Sequence, residues 1–308
     1  MYACLTLNLI IKWSRYMFQD KYLPIIVQEV NNIRKTYGLN ANSPIGDYIF
    51  AILKNECILV EWPEEDLLDL DGFSTEKVVD GRLNTIVYIN SAKNKEKQNF
   101  CAAHELGHRH KLERLLQDAF PDDIFPYSTK EDIMNRFAAE LMMPSLDFKR
   151  RAKKLYNQSS GFQDGRKVIF LKKMLESIVE LMDFYYVPYK SVVIRFYELN
   201  IISDQISTIF QDYEKTKKGI NIIDEIIREQ GVSRLRIPDR KIQYSVRLEN
   251  IHKIAKNKDI TKYMTTAELK KYLKAMGIAE EDIQLIEDMK KIETETIDVV
   301  DNNEKADF

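Results

Sequence analysis

Phe100-Cys101-Ala102-Ala103-His104-Glu105-Leu106-Gly107-His108 is the stretch around which the rest of the chain is organised. It holds two of only four histidines in 308 residues, four positions apart, with a glutamate directly after the first. Positions four apart on a helix lie about 40° from each other around the axis, so both imidazoles project from one face. Two neutral imidazoles at that spacing can take two corners of a metal tetrahedron, at roughly 2.0–2.1 Å per Zn–N bond. Glu105 sits beside such an ion instead of binding it, where it can take a proton from a metal-bound water. Lys95 to Asn99 is good helix material upstream, and Gly107 has no side chain where another backbone needs to come close.

His-Glu-x-x-His is the arrangement used by zinc peptidases, and a catalytic zinc takes three protein ligands with one position left for water. His110 is a poor third ligand, because it lies two residues past His108 and about 200° around the helix. The next helix opens at Ser128-Thr129, ends at Pro144, and offers Glu131, Asp132 and Glu140. Glu131 and Asn135 share a face, so the carboxylate can bind metal while the amide supports a ligand. Glu140 lies about 180° from Glu131, so only one of the two can point at the ion. Ser128-x-x-Glu131 also reads as a capping box, a use of Glu131 that needs no metal. Tyr127, Tyr88 and His110 are conceivable donors to a developing oxyanion. Cys101 shares the helical face of His104 and His108, although a free cysteine there is more often a small buried residue.

The two motifs together, Cys101 to His108 and Glu131-x-x-Met134-Asn135-Arg136-Phe137-Ala138-Ala139-Glu140-Leu141-Met142-Met143-Pro144, resemble the ImmA/IrrE metallo-endopeptidases. Met134 and Met142 depart from that family's alanine and leucine, apolar for apolar. The resemblance covers roughly residues 22–202 and implies His104, His108 and Glu131 as zinc ligands, with Glu105 as general base. It also implies a helix-turn-helix repressor as protein substrate, in a phage-related or bacterial regulatory setting. A regulator or toxin–antitoxin component that acts by binding such a partner, with zinc as a brace, is the alternative. A Glu105→Gln variant separates the two, since only the peptidase would lose its effect.

Composition fits this reading. Net charge is −2, so no global basic field argues for direct nucleic-acid binding. Cys4, Cys57 and Cys101 are too few and scattered for a disulfide framework, which suits a cytoplasmic protein. The expected fold class is α+β, a zincin-like domain whose small sheet packs on the active-site helices, followed by a mainly helical unit. The expected boundaries are an apolar extension over 1–21, the zinc domain over 22–203, a helical regulatory unit over 204–292 and an acidic disordered tail over 293–308. The apolar run Met1–Ile11 lacks the basic start and cleavage site of a signal peptide and is too short to span a membrane.

Along the chain, Pro24 opens a helix that Gly38 stops, and a second begins at Ser43-Pro44. Cys57–Trp62 reads as a strand, and Lys77–Val79 pairs with Leu83–Asn90 around Asp80-Gly81. Thr85–Asn90 is a candidate cleft edge or an internal strand. The metal helix is expected to continue to about Leu116. Gln158–Arg166 reads as a loop, and the helices Val168–Tyr186 and Tyr189–Leu199 complete the domain instead of forming a DNA-binding pair. The basic run Ser233–Lys241 is expected to face solvent, and His252 has no role.

Overall fold

The computed structural model describes residues 2–5, 20–64, 70–79, 82–160 and 167–244. The chain divides into two units, residues 1–76 with 85–243 and residues 77–84 with 244–308, and the site lies in the first. That unit includes residues 204–243. Residues 245–292 of the expected helical unit, with His252, and the expected acidic tail lie outside the described residues.

Apolar segments with β-branched residues make the centre of the sheet, Ile58–Trp62 and Arg82–Asn90. Its strands are β1 (Tyr2–Leu5), β2 (Ile58–Trp62), β3 (Leu70–Val79), β4 (Arg82–Asn90) and β5 (Gln243–Tyr244), in the spatial order β1-β3-β4-β2-β5. β2 and β4 run parallel with Ile58 opposite Ile86, while β1 and β3 run antiparallel with Tyr2 opposite Ser74. Ile86 to Asn90 are all buried, as befits a strand covered on both faces. β4 is therefore internal, and the cleft-edge role open to it in the sequence falls away. β3 starts at Leu70, well before the expected Lys77, because Asp71-Gly72 is not a turn. A Cβ at Gly72 would stand 2.5 Å from the Tyr88 carbonyl oxygen and 2.6 Å from Cys101 Sγ, so the glycine lets helix and sheet approach.

Ten α-helices lie within the described residues. α1 (Leu23–Thr36) carries Pro24 in its first turn and buries Ile26, Val30 and Ile33. α2 (Tyr48–Glu56) begins later than Ser43-Pro44, since Gly46 has φ +53° and breaks any helix through it. α3 (Lys95–Arg109) does not run on to Leu116. His110 caps it, Lys111 turns left-handed at φ 51°, and α4 (Leu112–Ala119) sets off in a new direction with Leu112 and Leu116 in the core.

α5 (Tyr127–Met142) packs along α3. A Cβ at Gly107 would meet Met134 Sδ at 2.9 Å and Phe137 Cδ1 at 3.0 Å, so side chains of α5, not backbone, need that space. α6 (Ser145–Ser160) extends into the expected loop, and α7 (Lys167–Tyr185) precedes α8 (Tyr189–Glu198). Every residue from Tyr189 to Phe196 is buried, so α8 is a core helix and cannot lie in a DNA groove. α9 (Asp204–Tyr213) and α10 (Lys217–Glu229) follow, capped by the hydroxyls of Ser203 and Thr216.

The basic run after α10 faces solvent for most of its length, with Arg234, Arg240 and Lys241 exposed, and Leu235 is its one buried residue. Arg236 pairs with Glu96 at 3.0 Å and Asp224 at 3.4 Å. Arg234 pairs with Asp183, and Asp239 with Lys95. Acidic partners lie beside several of these charges, which stay open to water.

Candidate metal centre

α3 brings His104 and His108 together by its own pitch, with Nε2 atoms 3.2 Å apart. The third group comes from α5: Glu131 Oε2 stands 3.2 Å from His104 Nε2, and Oε1 stands 3.6 Å from His108 Nε2. Among the described residues this is the one group of three such side chains able to share an ion. Ligand atoms on a tetrahedral zinc with bonds of roughly 2.0–2.1 Å lie about 3.3 Å apart, close to all three separations here. Two imidazole nitrogens and a carboxylate oxygen converge on one point, a donor set that suits a divalent cation. Burial and the neighbouring His104 hold His108 far below the usual imidazole range, so it is neutral as a ligand must be.

The capping-box use of Glu131 is not realised. The helix begins one residue earlier than expected, Pro126 occupies the N-cap, and Ser128 lies inside the first turn. Asn135, one turn after Glu131, places Oδ1 3.0 Å from His104 Nδ1. With Nδ1–H donating to that oxygen, His104 presents the lone pair of Nε2 to the metal position.

Glu105 is fully buried. Burial pushes its carboxyl up to about 7, opposed by the His104 imidazole and the Ser74 hydroxyl. Asp132 is also raised to about 7, by burial and then by Glu131, but it is not part of the convergent trio. Glu140 points the other way. Its Oε2 meets Arg195 Nη2 at 2.6 Å, its Oε1 meets Arg136 Nη2 at 3.2 Å, and the Ser145 hydroxyl donates to it.

Two oxyanion candidates are committed elsewhere. The Tyr88 hydroxyl donates to the Trp62 carbonyl, and His110 lies between Glu29 at 2.7 Å and Glu56 at 2.8 Å. Tyr127 remains exposed, one turn before Glu131 on α5. Cys101 Sγ packs towards Gly72 in the sheet. Three contributors escaped the sequence reading: Ser74 beside Glu105, and Arg34 and Arg195, which bind the C-terminal end of α5. Once 70–76 is taken as a strand, the period of two puts Gly72, Ser74 and Glu76 on one face, which is the available signal for Ser74.

The sheet, the paired helices and the three convergent ligands define a metallopeptidase-type domain. Residues 65–197 match the peptidase M78 family model, described as the IrrE N-terminal-like domain, in keeping with the resemblance to the ImmA/IrrE family. No curated protein and no solved structure matches the chain. No helix among the described residues is long and apolar enough to cross a membrane.

Proposed function

We propose that the chain is a zinc-dependent endopeptidase whose substrate is a partner protein, a helix-turn-helix repressor by analogy with the family it resembles. The observation that carries this reading is the convergence of His104, His108 and Glu131 at ligand–ligand distances beside a fully buried Glu105. A divalent ion held there would lower the pKa of a water and polarise the scissile carbonyl. Glu105 accepts the proton of the attacking water and returns it to the leaving amine, a role suited to a carboxyl whose pKa lies near neutrality. Asn135 fixes the His104 ring through Nδ1, and Glu131 supplies the negative charge that balances the ion.

The test is co-expression with a candidate helix-turn-helix repressor, sought first among the adjacent genes, together with metal analysis of the purified protein. Wild type is expected to carry about one zinc and to cut the repressor. Glu105→Gln should keep the zinc and cut at least about a thousandfold more slowly, in line with loss of the proton-transfer group and the charge beside it. His108→Ala should lose the zinc itself. Cutting by Glu105→Gln at the wild-type rate would remove the catalytic assignment and leave a regulator that acts by binding.

A further inference from the structure

The metal helix lies under one particular strand. Gly72 of β3 faces Cys101, Ser74 faces Glu105, and Glu76 pairs with Lys111 at 2.9 Å. Alternate residues of β3 therefore track the metal helix and the turn that follows it, and Ser74 stands beside the buried carboxylate. A strand at the end of a sheet offers unpaired N–H and C=O groups to any extended chain. β3 would be such an edge, because β4 covers only its other side. The edge is occupied by this chain's own N-terminal strand: Tyr2 pairs opposite Ser74, Ala3 opposite Phe73 and Cys4 opposite Gly72, antiparallel, with the register slipping between Cys4 and Leu5.

We infer that residues 2–5 occupy, in cis, the β3 edge along which the extended backbone of a substrate would add as an antiparallel strand, and so restrain the enzyme. The inference rests on the metallopeptidase reading above. Strand addition is a general mode of peptide recognition, with backbone hydrogen bonds giving affinity independent of sequence. A strand added to β3 lies about 4.8 Å from it, and so passes the segment that holds Ser74 and Glu105. The slip after Cys4 limits the pairing to a short run, and a short paired run is readily displaced by a longer substrate.

The experiment compares the zinc-loaded full chain with a chain lacking residues 1–19. A second variant, Ala3→Pro with Cys4→Pro, removes two backbone donors from β1 at full length. Quenched-fluorescent random decapeptides report cleavage, hydrogen exchange reports the amides of residues 70–76, and a labelled peptide of residues 1–10 is titrated against the trimmed chain. The tethered strand competes at an effective concentration of about millimolar, so both variants should cleave at least about tenfold faster. Their 70–76 amides should exchange faster, and the added peptide should restore protection and inhibit cleavage. Equal cleavage rates together with unchanged exchange would overturn the inference while leaving the metallopeptidase reading standing. If no form cleaves the decapeptides, the inference is decided by exchange alone, upheld if the added peptide protects residues 70–76 and overturned if it does not, while the metallopeptidase reading stands or falls with the repressor test.

Discussion

Single residues set the tolerances of this site. Asn90, at the end of β4, is fully buried and saturated: Oδ1 accepts from the backbone N–H of Glu64 and Ala92, and Nδ2 donates to the carbonyls of Glu64 and Leu70. An aspartate there has the same shape but no donor, and sets a charge against two carbonyl oxygens. Asn90→Asp is therefore expected to lower unfolding free energy by about 2–4 kcal/mol in urea titration, more than Asn90→Ser. Gly72 is constrained by space rather than by backbone angle, since a methyl would overlap the Tyr88 carbonyl. Gly72→Ala should cost about 1–3 kcal/mol by the same measurement, and Gly38→Ala should cost about 1 kcal/mol or less, because nothing lies near its Cβ position and only its φ of +64° resists.

Among the elements, α5 matters most, because it delivers Glu131 and Asn135 to a point fixed by α3. Its far end is held by two buried arginines. Arg34 donates to the Leu141 carbonyl at 2.6 Å, and Arg195 donates to the Met143 carbonyl through Nε and Nη2. These satisfy carbonyls that the end of a helix leaves open and place positive charge at the negative end of its dipole. Arg195 also neutralises Glu140 and Glu198. Arg195→Met leaves Glu140 buried with one partner fewer, and is expected to destabilise by about 3–5 kcal/mol, with Glu140→Leu in the same chain recovering part of the loss. Although burial raises the Glu140 carboxyl, the two arginines hold it below its ordinary value. Its contribution is thus present above the unfolded carboxylate pKa and is lost as pH falls through the lower folded value. The elements themselves were legible in the sequence where the apolar period is strong, as in α1 and α8. So was the histidine pair, because helical pitch alone puts His104 and His108 on one face. Pitch left Glu131, Asp132 and Glu140 open as the third ligand, and the family resemblance pointed to Glu131. The break at His110-Lys111 was not, since no glycine or proline marks it. In an unbroken helix Leu112 would lie one turn above His108 on the metal face, whereas the left-handed Lys111 turns it into the core. The extra length of β3 was hidden for the opposite reason, because Asp71-Gly72 carries turn chemistry while serving close packing.

At the scale of the whole molecule, the run from Ser233 to Lys241 ties the end of the described chain to the start of the metal helix. Glu96 in the first turn of α3 is fully buried against Arg236. Burial pushes its carboxyl up to about 7, and the arginine only partly offsets this. The folded state therefore holds a proton there that the unfolded state releases near pH 4.3. Stability from this group is full below about pH 4.3 and falls as pH rises through about 7. Glu96→Gln should match wild type near pH 5 and exceed it by about 1–3 kcal/mol near pH 8. Equal stability of the two at both pH values would mean that Arg236 balances the buried charge. Metal acts on the same folded unit through mass action. At a free concentration a hundred times Kd, an ion that binds only the folded state adds about 2.7 kcal/mol. For a unit of this size that is a rise in Tm of about 5–10 °C, which EDTA should abolish. Glu131→Ala keeps α5 and its anchors at Arg34 and Arg195 intact, so its metal-free Tm should lie within about 2 °C of wild type while its rise on adding zinc largely disappears. A full zinc-dependent rise in Glu131→Ala would place the ion elsewhere, with His104 and His108 serving only as neighbours in the core.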